Sequence, residues 1–445
     1  MGAPKPPSFA RMDVPPSRVF VMREGALHAE GVDLRALAEA TGTPTWVYSA
    51  RAVDAAYDAV DDAMRAASGG DHVIAYAIKA NGNLALLRRL GARGCGADIV
   101  SGGELARVLR ARIDPAKVVF SGVGKTRDEL AAALSAGIKA IHVESASELR
   151  ALAEVARDRG VVADFAFRVN PDVDAKTHPY IATGLHDTKF GLELDAARDL
   201  LAGVSSEPAL RLIGVACHIG SQLETSAPLR EAVAILARFG LELETAGFPL
   251  THLDVGGGWP MEYGCEDAAF PGAEAFGAAI AGGLADAGAE ARLTSAGGDW
   301  TLFTEPGRSL VGAAGLLLSR VVYVKDQGTK RFVIVDGAMS ELIRPALYEA
   351  YHAVTPVVPR EGKARVVDVV GPVCESGDFL ALGRALPPVD EGDLVAVLGA
   401  GAYGREMSSA YNARPPAAEV LVDGDAWRVV RRRATPADLW ALEEH

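Results

Sequence analysis

The residue best placed for covalent chemistry in this sequence is Lys79. It ends an apolar run (Val73, Ile74, Ala75, Tyr76, Ala77, Ile78) of buried-strand length. Asn81, Gly82 and Asn83 follow at once, which is turn chemistry, and a helix-like run begins at Leu84. A lysine held at the end of such a strand, against apolar surroundings, loses its proton at low cost. It can then attack a carbonyl and form a Schiff base. The same stretch also fits a solvated lysine that merely terminates a strand. The elements around it must decide.

Those elements alternate regularly. Strand-like runs lie at 73–79, 97–101, 118–121, 140–144, 163–169, 212–219, 251–255 and 301–305. Helix-like runs lie between most of them, as at 103–112, 127–136, 146–158 and 229–246. Eight such strands predict a (β/α)8 barrel of the TIM type, and the window from Asp71 to Arg308 has the required length of about 240 residues. Upstream, 1–18 reads as a loose Pro-rich arm, 19–27 as one short strand, 34–41 as a helix and 45–49 as a strand. After Leu310 the rhythm changes. Short β-type runs at 315–325, 331–336, 364–370, 394–398, 419–422 and 426–431 are separated by Gly, Pro and Asp, which predicts a mainly-β domain.

A barrel of this type carries its chemistry at the C-terminal ends of the strands. Those ends hold Lys79, Asp98 to Ser101, Ser121-Gly122, Glu144-Ser145, Arg168 to Asn170, His218 to Gln222, Asp254 to Gly258 and Glu305-Pro306-Gly307-Arg308. The triplet Gly256-Gly257-Gly258 lets backbone amides approach an anion, and it follows a late strand, where phosphate sites occur. Tight strand-to-helix turns use such triplets too. A lysine, a phosphate turn and a carboxylate together point to pyridoxal 5'-phosphate. Its ring absorbs the electrons left by decarboxylation best when the ring nitrogen is protonated, and a carboxylate keeps that proton in place. Glu305 is the candidate, against the alternative of a structural ion pair with Arg308. His218 could stack on the ring, or be a satisfied core histidine.

Composition bounds the rest. There are 45 basic and 58 acidic residues, a net charge of −13, which argues against nucleic acid or an anionic membrane as partner. The four cysteines (Cys95, Cys217, Cys265, Cys374) have no Cys-x-x-Cys spacing, so no metal site and no disulfide framework are expected. The expectation is a reducing, cytoplasmic compartment. The N-terminal arm has no apolar signal-peptide core, and no apolar run reaches membrane-spanning length.

Longer motifs then carry a resemblance. Ala77 to Asn81, Asp98 to Glu104, Phe120 to Thr126, Arg168 to Tyr180, His218 to Gln222, Glu305 to Ser309, Gly371 to Asp378 and Tyr411 to Pro415 resemble, in order, the diaminopimelate decarboxylases. These are fold-type III pyridoxal-phosphate enzymes, grouped with alanine racemases and ornithine and arginine decarboxylases. The resemblance covers roughly 45–420. It implies a barrel over 46–310, a β-domain over 311–445 joined by the segment 1–45, and a head-to-tail homodimer with shared active sites. It implies decarboxylation of meso-2,6-diaminopimelate to L-lysine and CO2, the last step of lysine biosynthesis.

Carried over by residue, Lys79 forms the Schiff base, Glu305 pairs with the ring nitrogen and His218 stacks on the ring. Ser221, Gly256, Gly257, Gly258, Gly307 and Arg308 hold the phosphate. Asp98 and Pro306 join the cofactor shell, and Tyr403 comes from the partner chain. Cys374 of the partner looks like the acid for Cα. Arg308 and Arg344, with Tyr348 and Tyr403 beside them, resemble the ligands of the substrate's distal carboxylate, where a bidentate arginine fits best. Glu375 resembles the ligand of the distal amine.

Some residues depart from the family pattern: Ala216, Trp259, Asp336 to Ser340 and a longer loop at 287–300. Trp259, beside the glycine triplet, is expected to alter pocket shape. The rival readings are a same-fold decarboxylase for carboxynorspermidine or arginine, an amino-acid racemase and a non-enzymatic pyridoxal-phosphate-binding protein.

Overall fold

The computed structural model describes residues 19–174, 189–266 and 269–443. The N-terminal arm and the 175–180 part of the long Arg168 motif lie outside the described residues. The chain divides into two compact units. One comprises 55–261 and 270–309, the other 1–54, 262–269 and 310–445.

In chain order the strands are β1 (Phe20–Arg23), β2 (Ala26–Ala29), β3 (Val32–Asp33), β4 (Thr45–Ser49), β5 (His72–Ala77), β6 (Gly96–Ile99) and β7 (Val118–Phe120). Then come β8 (Ala140–Val143), β9 (Ala163–Arg168), β10 (Leu210–Ala216), β11 (His252–Asp254) and β12 (Thr301–Thr304). The last are β13 (Gly315–Gln327), β14 (Lys330–Val335), β15 (Val354–Pro356), β16 (Arg365–Val370), β17 (Phe379–Leu386), β18 (Leu394–Val397), β19 (Ala418–Asp423) and β20 (Ala426–Arg431).

β5 to β12 form a closed barrel of parallel strands, sealed where β12 pairs with β5. All eight expected barrel strands are present. Their interior is packed with Ala75, Val119, Ala140, Ile213 and Phe303. The crossover helices start and stop on local signals. Ser101, Thr126 and Ser145 accept backbone N–H groups at helix N-termini, and Gly137, Gly160 and Gly288 close helices in the left-handed conformation. Thr126 and Glu129 complete a capping box.

In the other unit, β17-β16-β14-β13-β4-β19-β20 form one path of a sheet, with β18 paired to β13 and β15. The mainly-β expectation holds, with three differences. The 19–27 run is not one strand. Glu24 (φ 49°) and Gly25 (φ 76°) make a tight turn that splits it into the hairpin β1–β2. β17 escaped the sequence reading because Gly383 (φ 63°) interrupts its alternation, and the short β15 contains Pro356. The core of this unit gathers Leu34, Leu37, Val47, Leu316, Leu318, Ala396 and Val420, all nearly inaccessible.

Candidate active site

The barrel unit gathers its candidates at one rim, because each follows a parallel strand. β5 runs straight into a 3-10 turn, Ile78–Ala80, that contains Lys79. The turn is held from both sides. Tyr76 donates its hydroxyl to the Asn81 carbonyl (3.0 Å), and Asn83 caps the next helix by accepting from the Ala85 amide. Lys79 therefore stops where the strand stops. Its Nζ donates to Asp98 Oδ2 at 2.8 Å, and Asp98, on β6, is fully buried while the lysine side chain remains 38% exposed. A lysine anchored at its tip yet reachable is what a carbonyl nucleophile needs.

Glu305 follows β12. Its amide donates to the Gly256 carbonyl (2.8 Å), tying the ends of β11 and β12 together. Ser121 donates its hydroxyl to Glu305 Oε1 at 3.3 Å. Burial comes first, and the facing carboxyls of Asp254 and Asp98 second, in pushing the Glu305 acid well above its ordinary range; Lys79 and Arg168 oppose this more weakly. Asp254 is pushed up to about 7, first by burial and then by Asp98. The rim thus keeps a buried acid facing the lysine side of the barrel. Such an acid can share a proton with a ring nitrogen.

His218 accepts the Gly257 amide on Nδ1 (3.1 Å), so its remaining proton sits on Nε2. Desolvation, then Arg168 and Lys79, keep it neutral, well below the usual histidine range. The glycine triplet is required where it lies. A Cβ on Gly256 (φ +70°) would meet the Cys217 carbonyl at 2.2 Å, and one on Gly257 would meet the Glu305 carbonyl at 2.2 Å. Arg308 is buried, and its guanidinium donates to Ser221 Oγ (3.1 Å from Nη2). Pro306 accepts the Ala77 amide (3.0 Å), and Gly307 lies against Ala77 and Ala80. The structure therefore brings Lys79, Asp98, Pro306 and Gly307 together. It also joins His218 to Gly257, Gly257 to Glu305, and Ser221 to Arg308.

The remaining candidates lie in the other unit. Arg344 opens the short helix Arg344–Tyr348, is buried, donates to the Tyr263 hydroxyl (3.2 Å) and lies over the Tyr263 and Tyr348 rings. Cys374 and Glu375 are exposed on the loop between β16 and β17. That loop is pinned by Asp378, which accepts from the Val373 and Met339 amides (both 2.6 Å), and by Asn412, which accepts from the Cys374 amide (2.8 Å). Tyr403 adopts a left-handed backbone (φ 54°), a costly state for a tyrosine.

Two of the departures from the family pattern can be placed. Trp259 does not project from the glycine turn. It is buried, stacks on Phe276 (5.5 Å) and donates to Thr304 Oγ1 (3.0 Å). Its large ring fills space against a crossover helix. The 287–300 loop folds as two 3-10 turns, Glu290–Arg292 and Thr294–Ala296, ahead of β12. That is the end of the strand away from the rim.

Sequence reading put Glu144 at a strand end without giving it a role; it accepts from Arg168 (3.0 Å) and from the Gly122 and Gly191 amides. It missed His142 and His252, fully buried within β8 and β11. Their signal was a polar residue inside an apolar strand.

Residues 51–312 match the family model for the pyridoxal-dependent decarboxylase, pyridoxal binding domain. The chain is 49% identical to a diaminopimelate decarboxylase of Pseudomonas aeruginosa, over 95% of this chain and 98% of that one. It is 44% identical to one of Aquifex aeolicus, over 92% and 94%. Among solved structures, the diaminopimelate decarboxylase of Helicobacter pylori complexed with L-lysine matches with TM-score 0.84 and 38% identity, over 92% of this chain and 99% of that one. That of M. jannaschii in co-complex with L-lysine matches with TM-score 0.90 and 35% identity, over 96% and 98%. The donor set also fits pyridoxal phosphate: a reachable amine, a buried acid for the ring nitrogen and a glycine turn beside a buried arginine. On the rim and on relatives matched across both units, the chain belongs to the diaminopimelate decarboxylases, within the pyridoxal-phosphate-dependent decarboxylase family.

Proposed function

We propose that the chain decarboxylates meso-2,6-diaminopimelate to L-lysine and CO2, the last step of lysine biosynthesis. One observation carries the reading: the match to diaminopimelate decarboxylases spans nearly the whole length of both chains. When bound, pyridoxal phosphate takes up the electron pair left on Cα as CO2 departs.

The chain's own residues do the rest. Lys79, steadied by Asp98, would hold the cofactor through its amine. Glu305 keeps a proton at the ring nitrogen. His218, fixed through Nδ1, supports one face of the ring. Ser221, Arg308, Gly307 and the Gly256 to Gly258 amides take the phosphate. The buried guanidinium of Arg344, between Tyr263 and Tyr348, suits the distal carboxylate, because a planar fork recognises it bidentately. Glu375 takes the distal ammonium. Cys374 of the partner subunit returns a proton to Cα, and Tyr403 of the partner subunit closes the site, in a twofold homodimer with two composite sites.

A cytoplasmic setting agrees with four free cysteines and with the absence, among the described residues, of a helix long and apolar enough to cross a membrane. The deciding experiment measures CO2 release from meso-diaminopimelate, ornithine, arginine and carboxynorspermidine. Diaminopimelate should lead in kcat/KM by orders of magnitude. Preference for a substrate with no distal carboxylate would overturn the assignment.

A further inference from the structure

Behind Glu305 lies a chain of polar groups that the decarboxylation reading leaves unused. Ser121 Oγ is 3.3 Å from Glu305 Oε1 and 3.1 Å from His142 Nδ1. His142 Nε2 is 3.1 Å from His252 Nε2. All four residues are buried, the two histidines completely. The chain crosses the barrel interior from β12 through the end of β7 to β8 and β11.

Hydrogen-bond accounting gives this chain a direction. Two nitrogens 3.1 Å apart must share one proton, since two lone pairs would repel and two N–H groups would clash. Both rings are neutral. Burial holds His142 well below the usual range, reinforced by His252, Lys125 and Arg168; burial holds His252 at about 3, with Lys139 adding to it. Each ring therefore carries one proton. His252 Nδ1 has no hydrogen-bond partner among the described residues. If His252 were protonated there, an N–H donor would be stranded in the barrel, while the bare nitrogen strands only a weak acceptor. The proton of His252 thus belongs on Nε2 and is donated to His142 Nε2. His142 must then carry its own proton on Nδ1, which points to Ser121 Oγ. Ser121, accepting there, turns its hydroxyl to Glu305 Oε1.

We propose that His252, His142 and Ser121 form a one-way donor relay that ends on Glu305 Oε1 and favours its ionised carboxylate. These are positioning residues, acting through Glu305, and the proposal rests on the decarboxylase reading of that residue. The relay offsets the surroundings of Glu305. Asp254 from β11 and Asp98 from β6 repel its charge, while Lys79 after β5 and Arg168 from β9 attract it. Even with Ser121 in place, burial and the facing carboxyls hold the Glu305 acid well above its ordinary range, so the relay makes that proton easier to give up to a ring nitrogen.

The first test needs no cofactor and no turnover. Nitrogen NMR of the cofactor-free protein, labelled in its histidines and assigned with His142→Gln and His252→Gln, reads each ring's tautomer. The expected result between pH 6 and 8 is two neutral rings, His142 protonated on Nδ1 and His252 on Nε2. The reverse tautomers, or a cationic ring, would overturn the relay. So would one equivalent of bound divalent metal, because His142, His252 and Asp254 are close enough together to ligate an ion.

The second test uses the loaded enzyme. Ser121→Ala should lower kcat about tenfold, leave KM near wild type and move the acidic limb of the kcat profile to higher pH. Ser121→Thr, which keeps the hydroxyl, should restore both. An unshifted profile in Ser121→Ala would show that the serine only fills space. Loss of decarboxylase activity in the wild type itself would count against the functional reading and leave the tautomer result standing.

Discussion

Arg344 carries the substrate preference in the proposed reading. Its guanidinium is buried between two tyrosines, so losing it leaves a distal carboxylate without its charge partner. Arg344→Ala should cost about 2–5 kcal/mol in kcat/KM for diaminopimelate. The visible spectrum of the bound cofactor should not change; normal turnover of diaminopimelate would remove the distal-carboxylate argument. Asp254 gives a pH prediction. Its folded value of about 7 lies above the ordinary 3.8, so the folded state binds that proton more tightly. Stability from this group is therefore lost as pH rises from the ordinary carboxylate range toward neutrality. His252 acts in the opposite sense: held at about 3, it costs stability as pH falls below the ordinary 6.5. Asp254→Asn keeps an acceptor for the Gly256 amide and removes the charge. In cofactor-free protein, the melting temperature of the variant should gain on wild type between pH 5 and pH 8. A constant difference would contradict the assignment. Lys79, Glu305 and His218 were legible in the sequence because they stand where apolar runs end. His142 and His252 were not, since a histidine inside an apolar strand reads as a satisfied core residue until its neighbour across the barrel is known.

The strand ends, rather than single side chains, set the precision of the rim. β11 and β12 are joined beyond their last ladder bonds by the Glu305 amide and Thr304 hydroxyl, which both donate to the Gly256 carbonyl at 2.8 Å. Gly257→Ala places a methyl 2.2 Å from the Glu305 carbonyl and must push these ends apart. A cost of about 2 kcal/mol in stability is expected, with pyridoxal phosphate bound at least tenfold more weakly. Gly124→Ala is the control, as its added methyl meets nothing within 4 Å. Equal effects from the two variants would mean the turn is not strained by a side chain. The eight barrel strands were legible because their alternation with helices is regular. The sheet of the other unit was less so: β13 ends at Gln327, beyond the 315–325 run read from the sequence, and its exposed Asp326 and Gln327 pair with Arg331 and Lys330. Pairing, not burial, holds that end, and pairing leaves little trace in one sequence.

Across the whole molecule, Lys79 belongs to the barrel unit and Cys374 to the other. The shared-site proposal makes a quantitative demand. Lys79→Ala and Cys374→Ala homodimers should each be nearly inactive. After free subunit exchange at equal amounts, about half the dimers are mixed, and each has one site free of both lesions, so roughly a quarter of wild-type activity should return. If proven exchange restores nothing, the cysteine serves its own chain's barrel. The excursion between the helix Ala273–Ala287 and β12 sets a different kind of boundary. Its turn at Ser295 to Gly297 is exposed and lies at the barrel end opposite Lys79 and Glu305. Ser295 itself bonds the Ser68 carbonyl, so the port for foreign sequence is Gly297, where an added side-chain carbon would meet nothing within 4 Å: a reporter peptide or a fused domain spliced in there should leave the catalytic rim's activity unchanged.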